Sequence, residues 1–391
     1  MVTNSSLPVL SVLLDYYPGH QRLLSKGAYQ ALGTASKVEA FKKHNTISRP
    51  DFLNYFLMHR AQNPKYATYI DRLKYLDTAT GWLVDVLETD GTINCQLGSD
   101  GLQEKVGEAV SLSVAGKLFG LTAADWTKIP EQQGAGAHAT FDFQRTIVGI
   151  TAEDAVIQIE AKGTFVSDNT VGQANVRSHA SNIKKKKNNI SDAGDDYKHP
   201  ATALYGMIVA IDPVHDAKCW LLDPPPLMFE GDPRDNKVAI RLDYIASLTE
   251  MLAPKAKLPA ALRESAHSWR DGAGRTSRLE GHPFTVNNYI EAFLANGKIW
   301  LAERDVIGQL YVGESGKPFF LGLKGELIRA AIGQDPDTIS NLSFEPDVGY
   351  QIISAEPMQI DSWKKGEKCR VKLELSTSSS GVVIGLPCEV G

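Results

Sequence analysis

Hydrophobic positions recur along this chain with two different periods, and the change of period marks out its parts. Through residues 21–43, 51–61 and 66–89 apolar side chains fall at loose helical spacing, and Ser48 before Pro50-Asp51 is an N-cap signal for the second of these segments. Residues 1–95 therefore read as a helical N-terminal region. A turn-rich break follows, then a helix over 102–120 that places Leu102, Val106, Ala109, Val110, Ser113, Val114 and Leu118 on one buried face. Gly107 and Gly116 lower its helix propensity, which points to close packing against a sheet.

The period then shifts to two. Residues 139–150 and 156–165 predict strands around a polar turn at 151–155. Residues 173–187 predict a helix ending in four lysines. The almost unbroken apolar run 201–212 reads as a strand buried on both faces, and 218–222 as a short strand stopped by Pro224-Pro225-Pro226. Residues 96–230 thus form an α/β core. Beyond it, 238–252 looks helical, 270–278 is a basic, flexible piece, and 298–303, 306–312, 349–354 and 371–375 are strand-like. That makes 231–391 a mixed α+β C-terminal region.

Composition narrows the setting. With 43 % hydrophobic and 22 % charged residues, wholesale disorder is excluded. No apolar stretch approaches the roughly 20 residues of a membrane span, and no basic residue precedes the first apolar run as in a secretory signal. Cys95, Cys219, Cys369 and Cys388 lack metal or disulfide spacing, so reduced thiols in a cytoplasmic protein without membrane attachment are expected. The net charge of −5 argues against indiscriminate coating of nucleic acid but says nothing of a local basic patch.

The chemistry concentrates in the strand 156–165. Alternation puts Ile157, Ile159 and Ala161 on one face and Gln158, Glu160 and Lys162 on the other. A carboxylate and an ammonium sharing a buried face are costly and need a reason. A metal-dependent nuclease supplies one: the carboxylate binds a divalent cation, and the lysine stabilises phosphorane charge or orients the attacking water. A hairpin about the 151–155 turn brings Asp142 opposite positions 160 to 164. Asp142, Glu160 and Lys162 then gather at one end of the sheet, and oxygen ligands of this kind suit Mg²⁺ or Mn²⁺. The alternative is a solvated strand face with an ordinary surface pair.

Asp142 and Glu160-Ala161-Lys162, in the order helix, strand, strand, helix, strand, resemble the PD-(D/E)XK nuclease superfamily over roughly residues 100–225. The resemblance implies a restriction-endonuclease-like core, a central mixed β-sheet flanked by helices. It implies that Asp142 and Glu160 bind the metal and that Lys162 is catalytic. It offers Glu108 or Glu104 on the preceding helix as a further metal contact and Gln173 as an assisting residue. The proline that commonly precedes the aspartate is replaced by Phe141, and Asp154 in the turn competes with Asp142.

Residues 171–190 hold Arg177, Lys184, Lys185, Lys186 and Lys187 with no Asp or Glu, a local basic strip suited to DNA phosphates. A lysine run at a helix end is also what the helix dipole favours by itself. Arg270, Arg275 and Arg278 form a weaker cluster. No GxxxxGK[ST], GxGxxG or HExxH occurs, His215 near Asp212 reads as a capped turn, and Trp126, Trp269, Trp300 and Trp363 read as packing residues.

The expected activity is Mg²⁺- or Mn²⁺-dependent hydrolysis of DNA phosphodiesters by a cytoplasmic endonuclease. Restriction or anti-phage defence is what the resemblance suggests. A protein partner in a defence or DNA-processing complex, or a homodimer, is compatible with it. The alternatives are a non-catalytic nucleic-acid-binding or assembly subunit on the same fold, and an RNA nuclease.

Overall fold

The computed structural model describes residues 9–59, 61, 66–83, 86–87, 92–93, 101–129, 143–147, 155–193, 203–223, 233–270 and 298–388. It is a mixed α/β protein with two curled mixed sheets and, among the described residues, ten α-helices.

The chain enters on β1 (Val9–Tyr16), with Leu10, Val12, Leu14 and Tyr16 buried at alternate positions. Two helices follow, α1 (Gly27–Ala31) and α2 (Thr34–Lys42). A single helix over 21–43 was the expectation; Gly33, at φ +64°, breaks it in two. Next come β2 (Thr46–Ser48), α3 (Arg49–Asn54), a π-helical turn at Tyr55–His59, and α4 (Tyr69–Trp82). Ser48 caps α3, its Oγ accepting from Asp51 N at 3.3 Å.

The central elements are α5 (Leu102–Phe119), a 3₁₀ turn at Ala123–Asp125, β3 (Trp126–Lys128), β4 (Phe143–Ile147), β5 (Ala155–Phe165), α6 (Ala174–Ala193), β6 (Ala203–Ile211) and β7 (Ala217–Leu222). Seven strands pair in the order β2-β1-β7-β6-β5-β4-β3. The contacts β5–β6 and β1–β7 are parallel, and the others antiparallel. All nine residues of β6 are buried, as its unbroken apolar run requires of a central strand. The expectation of a mostly helical 1–95 is refined here: β1 is a strand of this sheet, its Val12–Tyr16 paired with Ala217–Leu221. Its alternating pattern, VLSVLLDY, is a strand period embedded among helical ones.

The remainder starts with α7 (Pro233–Leu252) and α8 (Leu258–Arg270), then β8 (Ile299–Leu301), β9 (Val306–Val312) and β10 (Phe319–Lys324). After α9 (Gly325–Gly333) and α10 (Pro336–Asn341) come β11 (Asp347–Ala355), β12 (Met358–Gln359), β13 (Lys364–Lys365), β14 (Cys369–Thr377) and β15 (Val382–Pro387). The second sheet runs β11-β14-β15-β10-β9-β12-β13, with β8 on β9.

One apolar core joins these parts, from Leu10 on β1 through Val110 on α5 to Leu242 on α7 and Ile384 on β15. Buried polar contacts fix the joints. Asn54 Nδ2 donates to Ser378 Oγ at 3.1 Å and Ser380 Oγ at 2.8 Å. Arg241 on α7 grips Asp125 through Nε at 2.5 Å and Nη2 at 2.9 Å. Trp126 and Trp269 are buried as expected and Trp363 packs edge-on against Tyr69, whereas Trp300 is 48 % exposed and packs little. Arg270 ends α8 in an ion pair with Asp243; Arg275 and Arg278 lie outside the described residues. Among the described residues no helix is long and apolar enough to cross a membrane.

Candidate functional site

The site is built on β5, between two helices. On one face α5 comes so close that a Cβ on Gly107 would lie 2.2 Å from Gly163 Cα, and one on Gly163 would lie 2.0 Å from Gln103 O. The glycine inside α5 therefore exists for backbone contact with β5. Gly163 shares this face with Ile157, Ile159 and Ala161, all buried. The opposite face, carrying Gln158, Glu160 and Lys162, lies under α6.

Glu160 is 0 % exposed. Its Oε1 is 2.6 Å from Lys162 Nζ and accepts from Lys186 Nζ at 2.7 Å. The two lysine side chains keep 27 % and 30 % of their surface exposed, so the ammonium groups sit between the buried carboxylate and solvent. Among the described residues two ammonium groups meet this one carboxylate oxygen.

The meeting of Lys186 with Glu160 follows from matched rises. Helix α6 passes β5 in the opposite direction, with Lys186 at Glu160 and His179 hydrogen-bonded to the Gly163 backbone. Seven helical residues rise about 10.5 Å and three strand residues about 10 Å, so the two contacts stay in step. Burial first, and the Lys162 charge second, push His179 below its ordinary value. His179, a donor within the basic stretch 171–190, thus enters the site as a neighbour of Lys162, seven residues before Lys186.

The remaining expected residues fall as follows. In the hairpin, Phe143 stands opposite Ile159 and Gln144 opposite Gln158, a register within the expected range. Asp142 and Asp154 lie outside the described residues. Glu108 is 7 % exposed on α5, which packs on the face of β5 away from Glu160. Glu104 is on the exposed first turn of the same helix. Gln173 does not come to Glu160: it precedes α6, its Nε2 donates to Ser167 Oγ at 3.2 Å, and about 20 Å of helix rise separates it from Lys186. Arg177, Lys184 and Lys185 are exposed on α6, while Lys187 Nζ donates to Asp223 O at 2.8 Å. The lysine run is thus not a uniform strip, because two of its members are anchored.

Among the described residues no three His, Cys, Asp or Glu side chains gather as a metal site. Near His215 the expectation of a capped turn matches the geometry: Asp212 Oδ1 accepts from Val214 N at 2.8 Å and His215 N at 2.7 Å. No family model matches the chain, and neither the curated proteins nor the solved structures contain a match to it.

Proposed function

We propose that this protein is a nuclease that hydrolyses DNA phosphodiesters with Mg²⁺ or Mn²⁺, and that Glu160 and Lys162 on β5 form its reaction centre. The observation that carries the reading is the fully buried Glu160 carboxylate, placed mid-strand against two partly exposed ammonium groups. A merely structural surface pair would not need a carboxylate with no exposure. The order α5, β3, β4, β5, α6, β6 supports it further: apart from the three-residue β3 it follows the helix, strand, strand, helix, strand order that carries the PD-(D/E)XK resemblance. A restriction-endonuclease-like core is the finer fold reading that goes with it, and a role in restriction or anti-phage defence rests on the resemblance alone.

The donor chemistry fits a hard divalent cation in kind: a buried oxygen ligand whose present counter-charges are lysines able to swing into solvent. One carboxylate does not complete such a site, so the reading assigns Glu160 and Asp142 as the ligands. The bound ion would supply charge neutralisation and a more acidic water. Lys162 and Lys186 would hold the non-bridging oxygens of the scissile phosphate and favour its added negative charge.

One observation favours a second reading, nucleic-acid binding without cleavage: Glu160 Oε1 is already shared by two ammonium groups. The test is incubation of the purified chain with plasmid, linear and single-stranded DNA, and RNA, with and without Mg²⁺ or Mn²⁺. Cleavage that needs the ion and disappears in both Glu160→Ala and Lys162→Ala is the expected result. Full activity in both folded variants sinks the assignment; binding without cleavage under every ion selects the second reading.

A further inference from the structure

A row of backbone pairs crosses the first sheet at the level of Glu160. Glu160 is opposite Gly206 on β6, and Gly206 opposite Leu222 on β7. Beyond them Tyr17 N donates to Leu221 O at 3.0 Å, continuing the row past the end of β1. Helix α6 seats on this row at one point. A Cβ on Gly206 would lie 2.8 Å from Ile183 Cγ2, so the bare glycine is what lets Ile183 descend onto the sheet.

The residues after Ile183 then diverge. At about 100° per residue, Lys186 lies roughly 60° to one side of Ile183, and Lys187 roughly 40° and Lys184 roughly 100° to the other. The contacts follow this division. Lys186 reaches β5 and Glu160, whereas Lys187 reaches the end of β7 and donates to Asp223 O. Asp223 is held on its other flank, its N–H donating to His20 Nδ1 at 3.1 Å. His20 is in turn set by its own N–H to Tyr17 O at 2.9 Å and by an edge-on contact with the Tyr17 ring, centroids 5.7 Å apart.

We infer that Lys187 and His20 form a second phosphate-binding station for the nucleic-acid strand handled at Glu160, with α6 as the saddle between the two. The inference rests on the nuclease reading for the identity of the ligand. Three strand spacings of about 4.8 Å separate the Glu160 and Tyr17 lines, or about 14 Å. That is the rise of about four phosphates along one DNA strand at about 3.4 Å each. Lys187 uses one of its three ammonium protons on Asp223 O and keeps two for a ligand. His20 accepts at Nδ1, so in its neutral form it carries its proton on Nε2, a donor for a phosphate oxygen. Burial, then the Lys187 charge, push His20 below its ordinary value, and that neutral form prevails at pH 7.5. Among the described residues the charged groups around this station are Lys184, Lys187 and Asp223, a net of one positive charge.

The two members of the station make different contributions. Lys187 displaces a counterion from DNA; neutral His20 adds a hydrogen bond without displacing one. The test is fluorescence anisotropy of the full chain with a fluorescein-labelled 20-nucleotide single-stranded DNA, in EDTA at pH 7.5, over a salt series. Lys187→Met is expected to reduce the slope of log affinity against log salt by about 0.7. His20→Ala is expected to weaken binding several-fold at each salt with the slope kept. Lys317→Ala, a lysine in a loop of the second sheet, controls for net charge. Urea midpoints of all three show whether any variant is misfolded, and His20→Gln, which keeps a donor, recovers binding if the lost bond is the cause. An unchanged slope in Lys187→Met, or an equal slope loss in Lys317→Ala, overturns the station while leaving the cleavage result at Glu160 standing. No binding by the wild-type chain overturns the station, and the nuclease reading then stands or falls on the cleavage assay.

Discussion

Gly163→Ala tests the contact on which the β5 site is hung. The added methyl would lie 2.0 Å from Gln103 O and 2.7 Å from Gly107 Cα. Carbon contacts are optimal near 3.5–4.0 Å, so α5 and β5 must separate by about 1 Å or distort. The nearest described atoms are all backbone, Gln103 O and Gly107 Cα and N, which cannot give way as a flexible side chain would. A gap of that size forfeits up to about half of the facing dispersion energy, and α5 buries 14 of its 18 residues. The expected loss is about 3 kcal/mol, the upper end for overpacked cores. Gly81→Ala in α4 is the matched comparison. Among the described residues nothing lies within 4 Å of its new Cβ, so helix propensity should stabilise it by about 0.5–1 kcal/mol. Both changes are glycine to alanine, so their effect on the unfolded chain is the same. Urea unfolding followed by circular dichroism measures the difference, expected as a midpoint lowered by roughly 0.5–1 M for Gly163→Ala. A Gly163→Ala midpoint equal to that of Gly81→Ala would refute the backbone contact.

Two further outcomes follow from buried charge. Arg241→Leu takes the two-pronged guanidinium contact from Asp125, which is 0 % exposed, and strips the Ile339 and Leu342 carbonyls of their 2.7 Å donors, so a loss of about 3–5 kcal/mol is expected by urea titration. A loss below about 1 kcal/mol would show that the pair does not hold α7 to the turn at Asp125. Burial, then the neighbouring Lys365 charge, lower Lys298 to about 8, so between pH 8 and the unfolded value near 10.4 the unfolded chain binds the extra proton and stability rises with pH. The rise is on the order of 3 kcal/mol at most, and Lys298→Met should abolish it; an equal rise in that variant places its source elsewhere.

Much of the sheet could be read from residue periods because central strands leave little choice. The run through Leu204–Ile211 has no polar face and became a strand buried at every position. The alternation in β5 put Glu160 and Lys162 on one face, and the turn set the register with β4. The N-terminal strand was overlooked because Val9–Tyr16 sits among helical periods, and its partner is some 200 residues away, beyond the reach of any local pattern. Lys186 and Lys187 were visible as charge, but their opposite destinations depend on where Ile183 meets Gly206. Gln173 was placed by analogy with a helix start; the helix begins there, yet its first turn lies far from Glu160.

The pairing of β1 with β7 also sets an order in time. At roughly 5–20 residues per second, a ribosome needs on the order of 10–40 s to bring Ala217–Leu221 out after Val12–Tyr16. For that interval Leu10, Val12 and Leu14 form an apolar strand with its parallel partner not yet made. The first sheet therefore closes after translation of β7 rather than segment by segment, and β1 is the strand that waits longest for its partner.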